Sequence, residues 1–229
     1  MMQNKASGDG SRWQVLGENM VVIGLTGGIG SGKSFVLNLL HERWGIPVYE
    51  ADKVAKELMM PPHDIYKEIV REFGDEILTE RENADGVLKA IDSEKLRCVV
   101  MNDSGALARL NSIVHPGVKK YFKDIIASES HDVIIIESAI LLQDGYEDIC
   151  DEIWYVRAER NVRLDRIMKN RGYTLEKAES FMDNQPGDDY YMDHADRVIN
   201  NNDMDGVDTL FPELESLMQS FKDKYPLLK

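Results

Sequence analysis

Apolar positions along this chain follow two alternating rhythms. Short blocks rich in β-branched or aromatic residues, at 20–25, 46–49, 132–137, 152–157 and 197–200, read as buried strands. Over 32–43, 104–113, 116–128, 160–170, 174–184 and 208–222 the apolar residues instead recur every three or four positions, the spacing of amphipathic helices. Strand and helix in alternation predict an α/β fold with a five-stranded parallel sheet, its first strand central and helices on both faces. Between the second and third strands the rhythm changes. Ile65, Ile69 and Phe73, and then Leu96, Val99 and Val100, keep helical spacing, and 57–128 shows helical periodicity alone. The expected organisation is therefore a core of 20–59 and 129–229 with an inserted helical domain over 60–128. Residues 1–19 are polar, and their lack of periodicity predicts a mobile segment outside the fold.

The loop after the first strand carries the most informative chemistry. GLTGGIGSGKS, residues 24–34, contains the pattern G-x-x-x-x-G-K-[ST] as Gly27, Gly32, Lys33 and Ser34. Glycines let backbone N–H groups converge on phosphates, the lysine brings a mobile charge, and the hydroxyl is placed to ligate Mg²⁺. The apolar run Met20–Ile23 before it and Phe35, Val36, Leu39 and Leu40 after it supply the strand and helix that this motif needs. The stretch Gly28, Ile29, Gly30, Ser31, Gly32, Lys33, Ser34 and Phe35 is thus the expected cradle for a nucleoside triphosphate, ATP, with Ser34 on the metal.

Composition narrows the classes. A chain of 229 residues can bury a full core. Its formal charge of −14 argues against nonspecific nucleic-acid binding and for solubility. No apolar run reaches bilayer length and no hydrophobic signal region precedes the first strand, so no membrane partner and a cytoplasmic location are expected. Cys98 and Cys150 stand far apart, without metal spacing, and indicate neither a disulfide framework nor a zinc site. Charge is unevenly distributed. Residues 157–177 hold Arg157, Arg160, Arg163, Arg166, Lys169, Arg171 and Lys177, whereas 183–205 is dominated by aspartates.

Ligands of open α/β sheets bind beyond the carboxyl ends of the strands, which singles out further residues. Glu50 and Asp52 follow the second strand, where a carboxylate is able to orient and deprotonate an attacking hydroxyl; Asp52 also suits the cap of a helix starting at Lys53. Glu137 ends the third strand, either as a group behind the Mg²⁺ or as a surface acid. Arg163 and Arg166 share a helix face and Arg171 follows beside Gly172; Arg166 and Arg171 are the candidates for stabilising a transferring phosphoryl group, with salt bridging as the alternative.

Taken in order, the motifs GLTGGIGSGKS, IPVYEADKVAKEL, FGDEIL with ADGVLKAIDSEKL, LNSIVHP, VIIIESAILL and ADRVINNN resemble the dephospho-coenzyme A kinase family over about residues 21–202. The resemblance implies Mg²⁺-dependent transfer of the ATP γ-phosphate to the ribose 3′-hydroxyl of dephospho-coenzyme A, the last step of coenzyme A synthesis. It also implies a helical domain over the acceptor, a lid at about 160–195, Lys33, Asp52, Arg166 and Arg171 as catalytic groups, and Asn200 in the closing motif at the nucleotide. Four features depart from the family pattern. Phe35 replaces a second hydroxyl after the lysine, and Glu50-Ala51-Asp52 stands for Asp-Ala-Asp. The family's lid arginine falls on Asn170, with Arg171 one residue on; on a helix that is a rotation of about 100°, so Arg171 substitutes only from a loop. QPGDDYYMDHAD, from Gln185, is acidic and aromatic where the family is basic. Aspartates facing ATP would repel it, so they are expected to point to solvent or else to alter catalysis. Two other readings stand beside the kinase: a P-loop kinase for another small alcohol or nucleotide, and a nucleotide-binding module with weakened or lost phosphoryl transfer.

Overall fold

The computed structural model of the chain describes residues 20–83, 86–103, 105–202 and 209–226. Residues 1–19, expected outside the fold, fall outside the described residues, as do Asp203 and Asp205 of the acidic stretch. Two compact units are present, one of Met1–Val48 with Ile125–Lys229 and one of Tyr49–Asp124.

The five expected strands all form. They are β1 (Val21–Thr26), β2 (Val48–Glu50), β5 (Val133–Glu137), β6 (Glu152–Arg157) and β7 (Arg197–Asn200), in the order β2-β5-β1-β6-β7, with the P-loop strand in the middle as the alternation predicts. β1 runs parallel to β5 and to β6, and β6 parallel to β7. All six residues of β1 are buried, which is why its sequence is a continuous apolar run and not an alternating one. Helices α1 (Lys33–Trp44) and α9 (Leu210–Lys224) supply Val36, Leu40, Leu214 and Phe221 to a core shared with Ile23, Leu25, Ile135 and Trp154. α6 (Arg160–Arg171), α7 (Leu175–Asp183) and α8 (Asp188–His194) follow β6 in sequence. The register sets Leu25 opposite Glu137 and Thr26 opposite Tyr155, so the carboxyl ends of β1, β5 and β6 finish at one edge.

At the start of β6 a buried carboxylate ties α9 to the sheet. Glu152 is 1% exposed and accepts hydrogen bonds from Trp154 Nε1 at 2.7 Å, Arg197 Nε at 2.6 Å and Lys224 Nζ at 2.7 Å. Burial pushes its carboxyl pKa up, but the bonds from Arg197, Lys224 and Trp154 outweigh burial and hold it below the usual range. A carboxylate depressed in the folded state contributes stability in full above its unfolded pKa of about 4.3, and that contribution is lost as pH falls through the folded value. Glu152→Gln keeps the shape and removes the charge. It is expected to cost about 3 kcal/mol at neutral pH, a fall in melting temperature of roughly 6–12 °C, with the gap to wild type closing below about pH 4. Thermal melts of both proteins across pH test this, and equal stability at neutral pH would contradict it.

The second unit holds α2 (Ala51–Leu58), α3 (Asp64–Phe73), α4 (Ser93–Asn102) and most of α5 (Ala106–Ser128). It also holds an antiparallel pair, β3 (Leu78–Asn83) with β4 (Gly86–Ile91), where helical periodicity alone was expected. The reason lies in composition: LTEREN offers one apolar residue and several good helix formers, so its pairing is decided by the partner strand and by Ile77, Ala90, Ile91 and Leu96, which are buried. This pair is its own two-stranded sheet and adds no strand to the main one. A second correction concerns the His-Pro pair. The expected break after Ile113 does not occur; α5 runs through Pro116 for 23 residues. Pro116 forfeits one helical hydrogen bond, but Gly117 lies so close to Ile65 that a Cβ there would clash, and Val118 and Phe122 are buried. Packing of the second half outweighs the lost bond.

Candidate active site

The phosphate loop forms between β1 and α1, and its peptide groups are sorted by direction. Gly27 O accepts from Lys33 Nζ at 2.8 Å, Gly28 O from Ser31 N–H at 3.1 Å, and Ile29 O from Arg163 Nε at 2.9 Å. Gly30 O accepts from Arg166 Nη1 at 3.4 Å, and Ser31 O from Arg166 Nη1 at 3.2 Å and Asn201 Nδ2 at 2.9 Å. Every carbonyl from residue 27 to 31 thus meets a donor from the protein itself. A trans peptide places its N–H opposite its C=O, so holding the carbonyls of Ile29 and Ser31 on the protein side aims the N–H groups of Gly30 and Gly32 the other way. Such convergent N–H groups at a helix start form an anion site.

Two glycines of the loop adopt the left-handed conformation. Gly32, at the N-cap of α1, has φ 85°, and a Cβ on it would occupy the place of Asn201 Nδ2. Gly30 has φ 79° and admits the α6 backbone, since its Cβ would stand 2.7 Å from Arg163 O. Helix α6 therefore rests directly on the loop.

Around this loop the expected residues are distributed unevenly. Lys33 Nζ also lies 3.9 Å from Glu137 Oε1, and both side chains are largely buried. That places Glu137 beside the P-loop lysine and not at a free surface. Ser34 is exposed in the first turn of α1, with Phe35 beside it, 37% exposed. Ser31 Oγ, inside the loop, is buried with no protein hydrogen-bond partner. Arg166 is at the loop but engaged with its carbonyls and with Asn201 O at 3.0 Å. α6 stays helical through Arg171, with Gly172 as its left-handed cap at φ 62°, and Arg171 is exposed. The loop conformation that a substitution for the lid arginine needs is thus not found there. Asn200 gives its amide and its backbone N–H to Glu213 Oε1, and it is the next residue, Asn201, that reaches the P-loop.

Asp52 lies just past β2. Helix α2 begins at Ala51 with Glu50 as its N-cap residue, so Asp52 is the second helical residue and does not cap a helix at Lys53. It is exposed, while Glu50 pairs with Lys53 at 2.6 Å. Asp52 is free of the structural role proposed for it as a cap.

Asp189 and Asp193 of the acidic stretch are exposed, as expected, but Asp188 departs from both expectations. Asp188 points inward, but onto cations and a phenol: it accepts from Tyr155 Oη at 2.8 Å and Arg157 Nε at 3.0 Å, and stands 3.9 Å from Arg163 Nη1. Burial, and then the bond to Asp188, push the Tyr155 pKa up, so its hydroxyl stays a donor. Tyr155 and Tyr191 stack at 4.9 Å, which explains the aromatic residues of this segment. Asp183 pairs with Arg160, Asp196 accepts from Ile153 N–H, and Asp189 and Asp193 are exposed. Sequence reasoning missed Gln185, whose Oε1 accepts from Ile29 N–H at 2.7 Å, and Asn201. Only their presence in quoted motifs marked them. Among the described residues no cluster of three or more His, Cys, Asp or Glu side chains forms a metal site, and no helix is long and apolar enough to cross a membrane.

Comparison with known proteins gives this geometry a family. The dephospho-CoA kinase profile matches residues 21–205. A dephospho-CoA kinase of Fusobacterium nucleatum is 34% identical over 202 residues, covering 88% of this chain and 99% of the relative. One from Moorella thermoacetica is 35% identical over 184 residues, covering 79% and 83%. The structure of dephospho-CoA kinase from Campylobacter jejuni superposes with a TM-score of 0.62 over 89% of this chain and 98% of that one, at 21% identity, and so supports the fold. P-loop, sheet order and near full-length similarity agree, and the chain belongs to the dephospho-CoA kinase family.

Proposed function

We propose that the chain uses ATP to phosphorylate the ribose 3′-hydroxyl of dephospho-coenzyme A, the final step of coenzyme A synthesis, with its own residues in the following roles. The observation that carries this reading is the loop itself: five successive carbonyls held by protein donors, with Lys33 between Gly27 O and Glu137. Phosphoryl transfer asks little covalent chemistry of a protein and much electrostatic positioning. The loop N–H groups and Lys33 bind and orient the triphosphate, Lys33 exchanging Gly27 O for phosphate oxygen. Arg166 holds the loop's carbonyls and is within reach of the same anion by rotation of its guanidinium. Asp52, exposed just past β2, accepts the proton of the acceptor hydroxyl. The unit Tyr49–Asp124 binds the coenzyme A moiety, and the segment of about 160–195 acts as the lid.

The oxygen donors at the loop suit Mg²⁺. The oxygens of Ser34 and Glu137 are hard donors of the kind that Mg²⁺ takes. Bound there with ATP, Mg²⁺ would supply positive charge to offset that of the triphosphate. Ser34→Ala is expected to raise the Mg²⁺ concentration for half-maximal rate by roughly tenfold, the worth of one good ligand, with little change in acceptor KM. Mg²⁺ titrations of ADP release test the assignment. An unchanged Mg²⁺ dependence would remove Ser34 from it.

A further inference from the structure

One side chain on α6 has no role in the chemistry above yet is the most thoroughly buried of its arginines. Arg163 is 8% exposed, and a buried guanidinium is tolerated only when its donors are met. They are met by the phosphate loop and by the segment after α7. Nε donates to Ile29 O at 2.9 Å, and Nη2 donates to Gln185 Oε1 at 3.3 Å, with Asp188 3.9 Å from Nη1. The same Gln185 Oε1 accepts the Ile29 N–H at 2.7 Å. Both polar groups of Ile29 are therefore held, one by a donor and one by an acceptor, and the two holders are bonded to each other. The guanidinium also packs closely against Gly28, where a Cβ would stand 2.7 Å from Arg163 Cζ.

We propose that Arg163 and Gln185 are positioning residues that clamp Ile29 and so set the phosphate-binding conformation of the loop. The proposal rests on reading that loop as the ATP site. Fixing Ile29 O toward Arg163 aims the Gly30 N–H away from it, because the intervening peptide is planar and trans. Since Ile29 N–H is spent on Gln185, Ile29 belongs to the scaffold, and the phosphate donors begin at Gly30. The clamp also joins elements far apart in sequence, α6 and the residue after α7, to one loop residue. ATP affinity then depends on side chains that do not touch ATP.

The chemistry of Gln185 makes this testable. Both of its contacts here use the carbonyl oxygen, so a carboxylate of the same shape preserves them, and the charge it adds faces Arg163. Mg·ATP dissociation constants by calorimetry, the KM for dephospho-coenzyme A and melting temperatures are measured for wild type, Gln185→Leu, Gln185→Glu and Arg163→Met. Gln185→Leu and Arg163→Met are expected to weaken Mg·ATP binding by roughly 10- to 100-fold, the range of a lost charge-assisted hydrogen bond, with acceptor KM within a factor of about two. Gln185→Glu is expected to stay within about threefold of wild type. Should Arg163→Met fail to fold, the Leu and Glu variants of Gln185 decide the matter. Equal damage from Glu and Leu would overturn the clamp, because the amide donor would then be the working group. So would a lowered melting temperature with ATP affinity unchanged. A wild type that binds no Mg·ATP, or a Lys33→Ala protein that binds it undiminished, would overturn the P-loop reading underneath.

Discussion

Lys33→Ala is expected to lower kcat/KM by on the order of a hundredfold or more while leaving the melting temperature within a few degrees of wild type. In the structure the Lys33 ammonium donates to Gly27 O at 2.8 Å and lies 3.9 Å from Glu137 Oε1, and neither partner belongs to the apolar core. Removing it takes away a mobile charge able to follow the γ-phosphoryl group as negative charge redistributes. It also leaves the Glu137 carboxylate nearer in potential to the phosphates, which adds repulsion to the lost attraction. Both effects act on the triphosphate, so the loss should appear in ATP KM and in kcat, with acceptor KM nearly constant. Steady-state kinetics with each substrate varied in turn, together with a thermal melt, separate these terms. Turnover within a factor of a few of wild type would mean that phosphate is held elsewhere.

Asp52→Asn should produce the other large effect, and in a different parameter. A carboxylate that accepts the hydroxyl proton contributes roughly 10²- to 10⁴-fold, so kcat is expected to fall by that order with ATP affinity largely spared. The position of Asp52 as the second residue of α2, and not its cap, sharpens the test. Its only expected structural contribution is the favourable placement of an acid in the first helical turn, worth about 0.3–1 kcal/mol, which limits the shift in melting temperature to a few degrees. A lost rate with a retained melt supports Asp52 as the base. Full activity in the Asn protein would shift attention to Glu50, whose carboxylate is engaged by Lys53 at 2.6 Å.

The middle of the main sheet was legible because β1, β5 and β6 are largely buried on both faces, and continuous runs such as VVIGLT and VIIIE leave little choice of element. The P-loop was legible because backbone chemistry at phosphates demands glycine at fixed offsets. What stayed hidden was what tertiary partners decide. β3 is a strand only through β4, and α5 passes Pro116 only because Gly117 and Val118 pack. The same holds at the site. Arg163 and Arg166 share a face in the sequence reading, but nothing in spacing says that one is buried against Ile29 while the other holds Ser31 O, or that Asn201 and not Asn200 turns toward the loop. The inward aspartate is the clearest case. Composition placed acid beside the expected phosphate loop, and only the tertiary neighbours Tyr155 and Arg157 show that Asp188 is already engaged.

The central claim is tested most directly by acceptor-dependent ADP release from Mg·ATP with the wild-type chain, run against dephospho-coenzyme A, adenosine, a nucleoside monophosphate and shikimate in parallel. The account predicts turnover with dephospho-coenzyme A far above the other three, with coenzyme A as the phosphorylated product. Turnover of another acceptor in its place, or ADP release that no acceptor stimulates, would contradict it.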